Sequence, residues 1–151
     1  MPTMRSRPSD HAADRRPRHQ PSATAAEHLC DTHSAALFSL ALALTGDRVR
    51  AEGVVVDVIS AACSMLSLPD VELRHELSRR TYRRCTAAGP GHASTVGTEE
   101  GRQRAALSLV RFGGLDYCET AAVLGLPSPE VARLLNSGLH ELVLTPEHPR
   151  P

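Results

Sequence analysis

Apolar residues recur every three or four positions along most of the chain, the spacing of helices that each bury one face. From about Ala25 the series Leu29, His33, Leu37, Leu40 and Leu44 predicts a first helix, ended at Thr45 and Gly46. Asp47 stands where a carboxylate caps the next helix, and Val49, Val54, Val55, Val58, Ile59, Ala62 and Leu66 carry that helix to Leu68. Pro69 and Asp70 close it. A third helix is expected from Val71 to Thr86, with Leu73, Leu77 and Tyr82 on one side and Arg74, Arg79, Arg80, Arg83 and Arg84 elsewhere. Residues 87–98, built mainly of Gly, Ala, Ser and Thr, read as a flexible linker.

Beyond the linker, Arg102 to Val143 carries the punctuation of a helix-turn-helix. Asp116 is placed to cap a short helix through Tyr117, Ala121 and Leu124, and Gly125 supplies the left-handed turn that stops it. Leu126 buries the turn, Ser128 is expected to cap the next helix, and Pro129 fits its first position, where no N–H is needed. In that last helix Val131, Leu134, Leu135, Leu139 and Leu142 form a stripe predicted to pack inward. Glu130, Ala132, Arg133, Asn136, Ser137 and His140 are left facing out.

Composition narrows the fold class. Hydrophobic residues make up 41% of the 151 positions, aromatics only 3%, so the core must consist of Ala, Leu and Val. Many helix formers and few strand formers predict an all-α protein. The expected organisation is two small helical domains joined by a flexible linker: a basic tail at 1–25, a helical domain at 26–86, the linker at 87–98, a helix-turn-helix domain at 99–144 and a short tail at 145–151. The first tail sets Arg5, Arg7, Arg15, Arg16 and Arg18 against Asp10 and Asp14, a surplus of three positive charges without an apolar face. No apolar run approaches the ~20 residues that span a bilayer. The basic amino-terminal stretch has no apolar run behind it, so it does not read as a secretory leader, and a cytoplasmic protein without membrane contact is expected.

All 17 basic side chains are arginine, which reads as the compositional bias of a GC-rich genome rather than a functional choice. Cys30, Cys63, Cys85 and Cys118 are far apart, with no C-x-x-C pair, and read as small buried hydrophobes. His28, Cys30 and His33 lie close together, but a fourth metal ligand is not in sight. No nucleophile and base, paired carboxylates or phosphate loop stands out, and His75 and His92 read as surface residues. Neither an enzyme with a small-molecule substrate nor a cofactor is expected.

The ordered set of elements resembles the extracytoplasmic-function sigma factors of bacterial RNA polymerase, within the sigma-70 family. The segment from Leu37 through Thr45, Gly46 and Asp47 to Ala51, Glu52 and Asp57 is similar to their region 2, and Tyr82, Arg83, Arg84 and Cys85 resemble its end. Arg102 to Val143, with Phe112, Gly113, Gly114 and Leu115 and the turn at Val123 to Leu126, is similar to region 4. The resemblance implies that the first domain docks on the polymerase core and opens the −10 promoter element, and that the last helix reads the −35 element. It also implies an anti-sigma factor as a possible partner. Asp47, Glu52 and Asp57 would then touch the polymerase clamp, or else only cap and solvate a helix start. Arg79, Arg80, Arg83 and Arg84 would contact duplex beside the −10 element, or form a solvated face paired with Glu76. On the last helix Arg133, Asn136 and His140 would meet DNA.

Departures from the family fall on the contact surfaces. Gly53 replaces a usual acid and Val56 a usual Gln; the aromatics expected near Ile59 and Cys63 and the base expected at Ala61 are missing. Ala132, Leu134 and Ser137 occupy positions usually basic. Between residues 99 and 143, Arg102, Arg104, Arg111 and Arg133 are outnumbered by Glu99, Glu100, Asp116, Glu119, Glu130 and Glu141. Since phosphate neutralisation supplies most sequence-independent DNA affinity, this half starts at a disadvantage. Val56 and Leu134, expected to be exposed, would suit a protein partner. Two functions follow as expectations: a sigma factor with weakened promoter contacts, or a degenerate relative acting through protein contacts alone. Either way the first four arginines are expected to gather on one face, with Arg133 apart.

Overall fold

The computed structural model describes residues 23–87 and 97–144, and within them every regular element is helical. Helix α1 is Ala23–Thr45, α2 is Arg48–Ala62, followed by a 3-10 turn at Cys63–Met65, and α3 is Asp70–Thr86. Helix α4 is Glu99–Arg111, α5 is Tyr117–Leu124 and α6 is Ser128–Leu144. The all-α class is therefore observed. Residues 23–25 of the expected basic tail belong to α1; its remainder, residues 88–96 of the expected linker and the segment 145–151 lie outside the described residues.

Local chemistry sets most of the boundaries. The Asp47 carboxylate accepts from the Arg50 amide at 3.1 Å and starts α2. At α5 Asp116 accepts from the Glu119 amide at 2.7 Å while the Glu119 carboxylate accepts from the Asp116 amide at 3.0 Å, a complete capping box. Gly125 ends α5 at φ +66°, where a side chain would be strained, and the Leu126 amide returns to the Ala121 carbonyl at 3.1 Å. Two boundaries depart most from the sequence reading. Helix α2 stops at Ala62 rather than Leu68: the chain tightens into the 3-10 turn at Cys63–Met65 and closes with the Leu68 amide on the Met65 carbonyl, ahead of Pro69. Ser128 is the first residue of α6 and not its cap. The Pro127 carbonyl takes that role, accepting from the amides of Glu130 and Val131.

Helices α1, α2 and α3 enclose a first core of Leu29, Leu37, Ala41, Ala51, Val54, Val55, Val58, Ile59, Ala62, Leu73, Leu77 and Cys85. Val49, expected on this face, is 78% exposed. It precedes Ala51 by two residues, about 200° around the helix, and so points away from the buried row. A third cluster of Ala106, Ala121 and Val131 joins α4, α5 and α6. Between the two lies a cluster that neither half completes alone: Leu40 of α1 packs with Leu109 and Leu115, flanked by Leu44, Tyr82, Phe112, Val123 and Leu124. The two helical units therefore share apolar surface.

Polar contacts lock that junction. The buried Ser78 hydroxyl of α3 donates to the Gly113 carbonyl at 3.1 Å, and Arg74 donates to the Phe112 carbonyl at 3.3 Å. The glycine pair makes this approach possible. A Cβ at Gly113 would collide with the Leu109 carbonyl, and Gly114 combines φ +72° with the Arg74 guanidinium 2.9 Å from where its Cβ would stand.

The inward stripe of α6 holds only in part. Val131 and Leu134 are fully buried, whereas Leu139 and Leu142 are 52% and 58% exposed. Leu134 is thus core, not the exposed apolar residue expected from its position in the family pattern. Helix α4 meets α6 along the side that carries Val131, Leu134 and Gly138, with Arg102–Glu130, Arg133–Glu99 and Gln103–Glu141 across the contact, and leaves the side of Leu139 and Leu142 uncovered. Among the cysteines, Cys85 is buried and Cys63 half-buried as expected, but Cys30 and Cys118 are exposed; all four are free thiols. Burial pushes the Cys85 thiol up to about 11, so it remains protonated and serves as packing.

Leu40 is the residue on which the junction can be tested. Leu40→Ala should lose about 3 kcal/mol of stability, as expected for an emptied leucine site that cannot collapse. Urea unfolding of the unmodified chain followed by circular dichroism should show one transition; two separated transitions would mean that the shared cluster does not couple the halves.

Candidate nucleic-acid and partner interface

The four arginines near the end of α3 follow helical spacing: Arg79 with Arg83 and Arg80 with Arg84 stand four residues apart, on one broad face of the helix. Arg74 is not part of it, being turned to the Phe112 carbonyl on the other side. The face is gathered as the sequence predicted, yet three of its four guanidiniums already hold a carboxylate. Arg80 Nε lies 2.9 Å from Glu76 Oε1 one turn back, Arg84 Nη2 3.1 Å from Asp57 Oδ2 of α2, and Arg79 Nη2 3.5 Å from Glu119 Oε1 of α5. Arg83 is exposed, and among the described residues it makes no ion pair.

Each of these pairs is weak by itself. Ion pairs with this much solvent access contribute roughly 0–1 kcal/mol, and a phosphate could displace a carboxylate at little cost in stability. The field is another matter. The three carboxylates sit well inside a Debye length of ~8 Å from their arginines and cannot leave. Four positive charges against three negative leave the face with a surplus of one. Counterion release, the term that drives phosphate binding, scales with such a surplus.

On α6 four of the six residues predicted to face out, Arg133, Asn136, Ser137 and His140, are exposed, while Glu130 and Ala132 are half-buried. Arg133 stands apart from the α3 arginines but is not unattended. Its Nη1 donates to Glu99 Oε1 at 2.7 Å, and that hydrogen bond holds the Glu99 carboxyl below the ordinary carboxylate range and raises the guanidinium further. His140 Nδ1 lies 2.9 Å from the Asn136 carbonyl, a contact within the helix that leaves the Asn136 amide outward.

The acidic residues expected to face polymerase also have partners. Asp47 caps α2, Glu52 accepts from Arg48 at 3.1 Å one turn back, and Asp57 holds Arg84. Arg48 itself lies over the Phe38 ring at 6.0 Å. Val56, on the outer side of α2 beside them, is 64% exposed.

Sequence reasoning missed the residue that ties these elements together. Glu119 completes the α5 capping box with Oε2 and presents Oε1 to both Arg79 and His75 Nδ1, the latter at 2.7 Å. A Glu three residues after an Asp cap is a legible signal for the box, but its reach to α3 depends on how the halves pack. Arg50 was missed likewise; it donates to the Cys85 carbonyl at 2.8 Å and fastens α2 to the end of α3.

No group of three or more His, Cys, Asp or Glu among the described residues is arranged to hold a metal ion, and no described helix is long and apolar enough to cross a membrane. Comparison with known proteins found no matching family, no matching curated protein and no matching solved structure.

Glu119→Gln separates the two tasks of this side chain. The amide oxygen still completes the capping box, so thermal stability should fall by less than about 1 kcal/mol. Arg79 loses its carboxylate, and retention on a heparin column should move to higher salt. Unchanged retention would mean that Glu119 does not govern the charge of the α3 face.

Proposed function

We propose that this chain is a sigma-factor-like transcription regulator that acts on bacterial RNA polymerase, or on a regulator of it, chiefly through protein contacts, with promoter DNA contact weakened. The order of elements in the sequence supports the sigma-like assignment. The observation that carries the weakening is the pairing of Arg79, Arg80, Arg84 and Arg133 with carboxylates of the same chain. A surface meant for phosphate leaves its guanidiniums to the nucleic acid; this one supplies internal anions. Exposed Val56 beside Glu52 and Asp57, which are paired with Arg48 and Arg84, adds apolar surface among mutually neutralised charges, a composition suited to a protein partner.

A second reading, that the chain directs polymerase to promoters, is supported by Arg83, which has no ion pair among the described residues, and by the outward Asn136 and His140. One α3 arginine with the amide and imidazole of α6 would still provide phosphate and base-edge contacts.

Run-off transcription with core polymerase distinguishes the two. The protein-contact reading expects stable association with core polymerase and no promoter-specific transcript. It also expects duplex DNA binding whose logarithmic salt dependence has a slope of only about −1 to −2, the value for one or two phosphates neutralised. Promoter-specific transcripts would establish the second reading instead, and absence of any association with core polymerase would remove polymerase as the partner.

A further inference from the structure

The apolar face that α6 leaves uncovered forms, with α4, a groove of about 960 Å³. Leu107 and Val110 line its α4 wall and Leu135, Leu139 and Leu142 its α6 wall, at the three- and four-residue spacings of a helix-packing seam. Leu139 and Leu142 are each more than half exposed. They are not required for the fold of their own half, whose core is already closed by Val131 and Leu134. Apolar side chains in contiguous rows on a helix face gain from a matching row opposite.

We infer that the occupant is a second copy of this chain, docked about a twofold axis so that the α4 and α6 pairs of two molecules form a four-helix contact. Charge selects this occupant. Along the groove Glu100 and, from the α6 wall, Glu141 lie by the amino half of α4, with Arg104 in its middle and Arg111 at its carboxyl end. A twofold axis across the groove sets the two α4 helices antiparallel and brings Glu100 of each molecule toward Arg111 of the other. A partner helix of one sign of charge would meet repulsion at one end. The whole chain has a formal net charge of zero, so no long-range repulsion opposes association of copies. This inference does not rest on the proposed role in transcription.

Sedimentation velocity on the full chain tests it, in reducing buffer because Cys30 and Cys118 are exposed. The mass should rise from 16.2 kDa toward twice that value as concentration increases to about 100 μM. Leu139→Arg and Leu142→Arg should each weaken dimerisation by more than about tenfold, with the helical circular dichroism unchanged. Glu100→Arg and Arg111→Glu should each weaken it as well, and the two together should restore it. A monomer at all concentrations would overturn the inference and assign the groove to another occupant, either a segment of the same chain or a different protein. So would a dimer indifferent to Leu139→Arg, or one that persists only without reductant.

Discussion

The contact between Leu40 of α1 and the Leu109–Leu115 bend is the constraint on which the other features depend. It brings the end of α4 against α1 and α3, at a bend that requires glycine at 113, where a Cβ would strike the Leu109 carbonyl one turn back, and at 114, where φ is +72°. Once the bend is seated, the Ser78 hydroxyl has a carbonyl to meet and Arg74 a second one. The same seating carries α5 to the side of α3, which is why Glu119 reaches His75 and Arg79. Apolar burial does the positioning here. The polar contacts are worth about 1 kcal/mol each and fix the geometry that the apolar cluster makes available.

One consequence is electrostatic. Helices packed at short range in a chain with equal numbers of acids and bases bring opposite charges together wherever their rims meet. The rims meet where a DNA reader would keep its arginines unpaired. Asp57 on α2, Glu76 on α3, Glu99 on α4 and Glu119 on α5 each come from a different helix, yet each takes an arginine of α3 or α6. In the proposed reading, the weakening of phosphate contact is therefore distributed over the fold and does not reside in the last helix alone. Beside Arg83, apolar side chains also remain exposed: Val56 on one side, Leu139 and Leu142 on the other.

Helix positions, the all-α class, the caps at Asp47 and Asp116 and the stop at Gly125 were legible in the sequence, because each depends on residues within one or two turns of each other. The ends that misled did so through neighbours. The end of α2 tightened into the 3-10 turn at Cys63–Met65, and Ser128 lost the cap of α6 to the carbonyl beside it. The candidate site was legible as a set of side chains but not as a charge distribution. The four arginines of α3 share a face by spacing alone; that three of them are held by acids depends in two cases on residues 27 and 40 positions away.

Backbone propensity, capping and periodicity act within a few residues, and they set which segments are helical, which face of each is apolar and where the turns fall. Which apolar rows find a partner within the chain was settled by packing. Leu134 and Leu139 carry the same side chain on the same helix, and one is core while the other is surface. They stand about 140° apart around α6, and it is the seating of α4 against the side that carries Val131, Leu134 and Gly138 that buries one leucine row and leaves the other outside; no local rule contains the crossing of two helices.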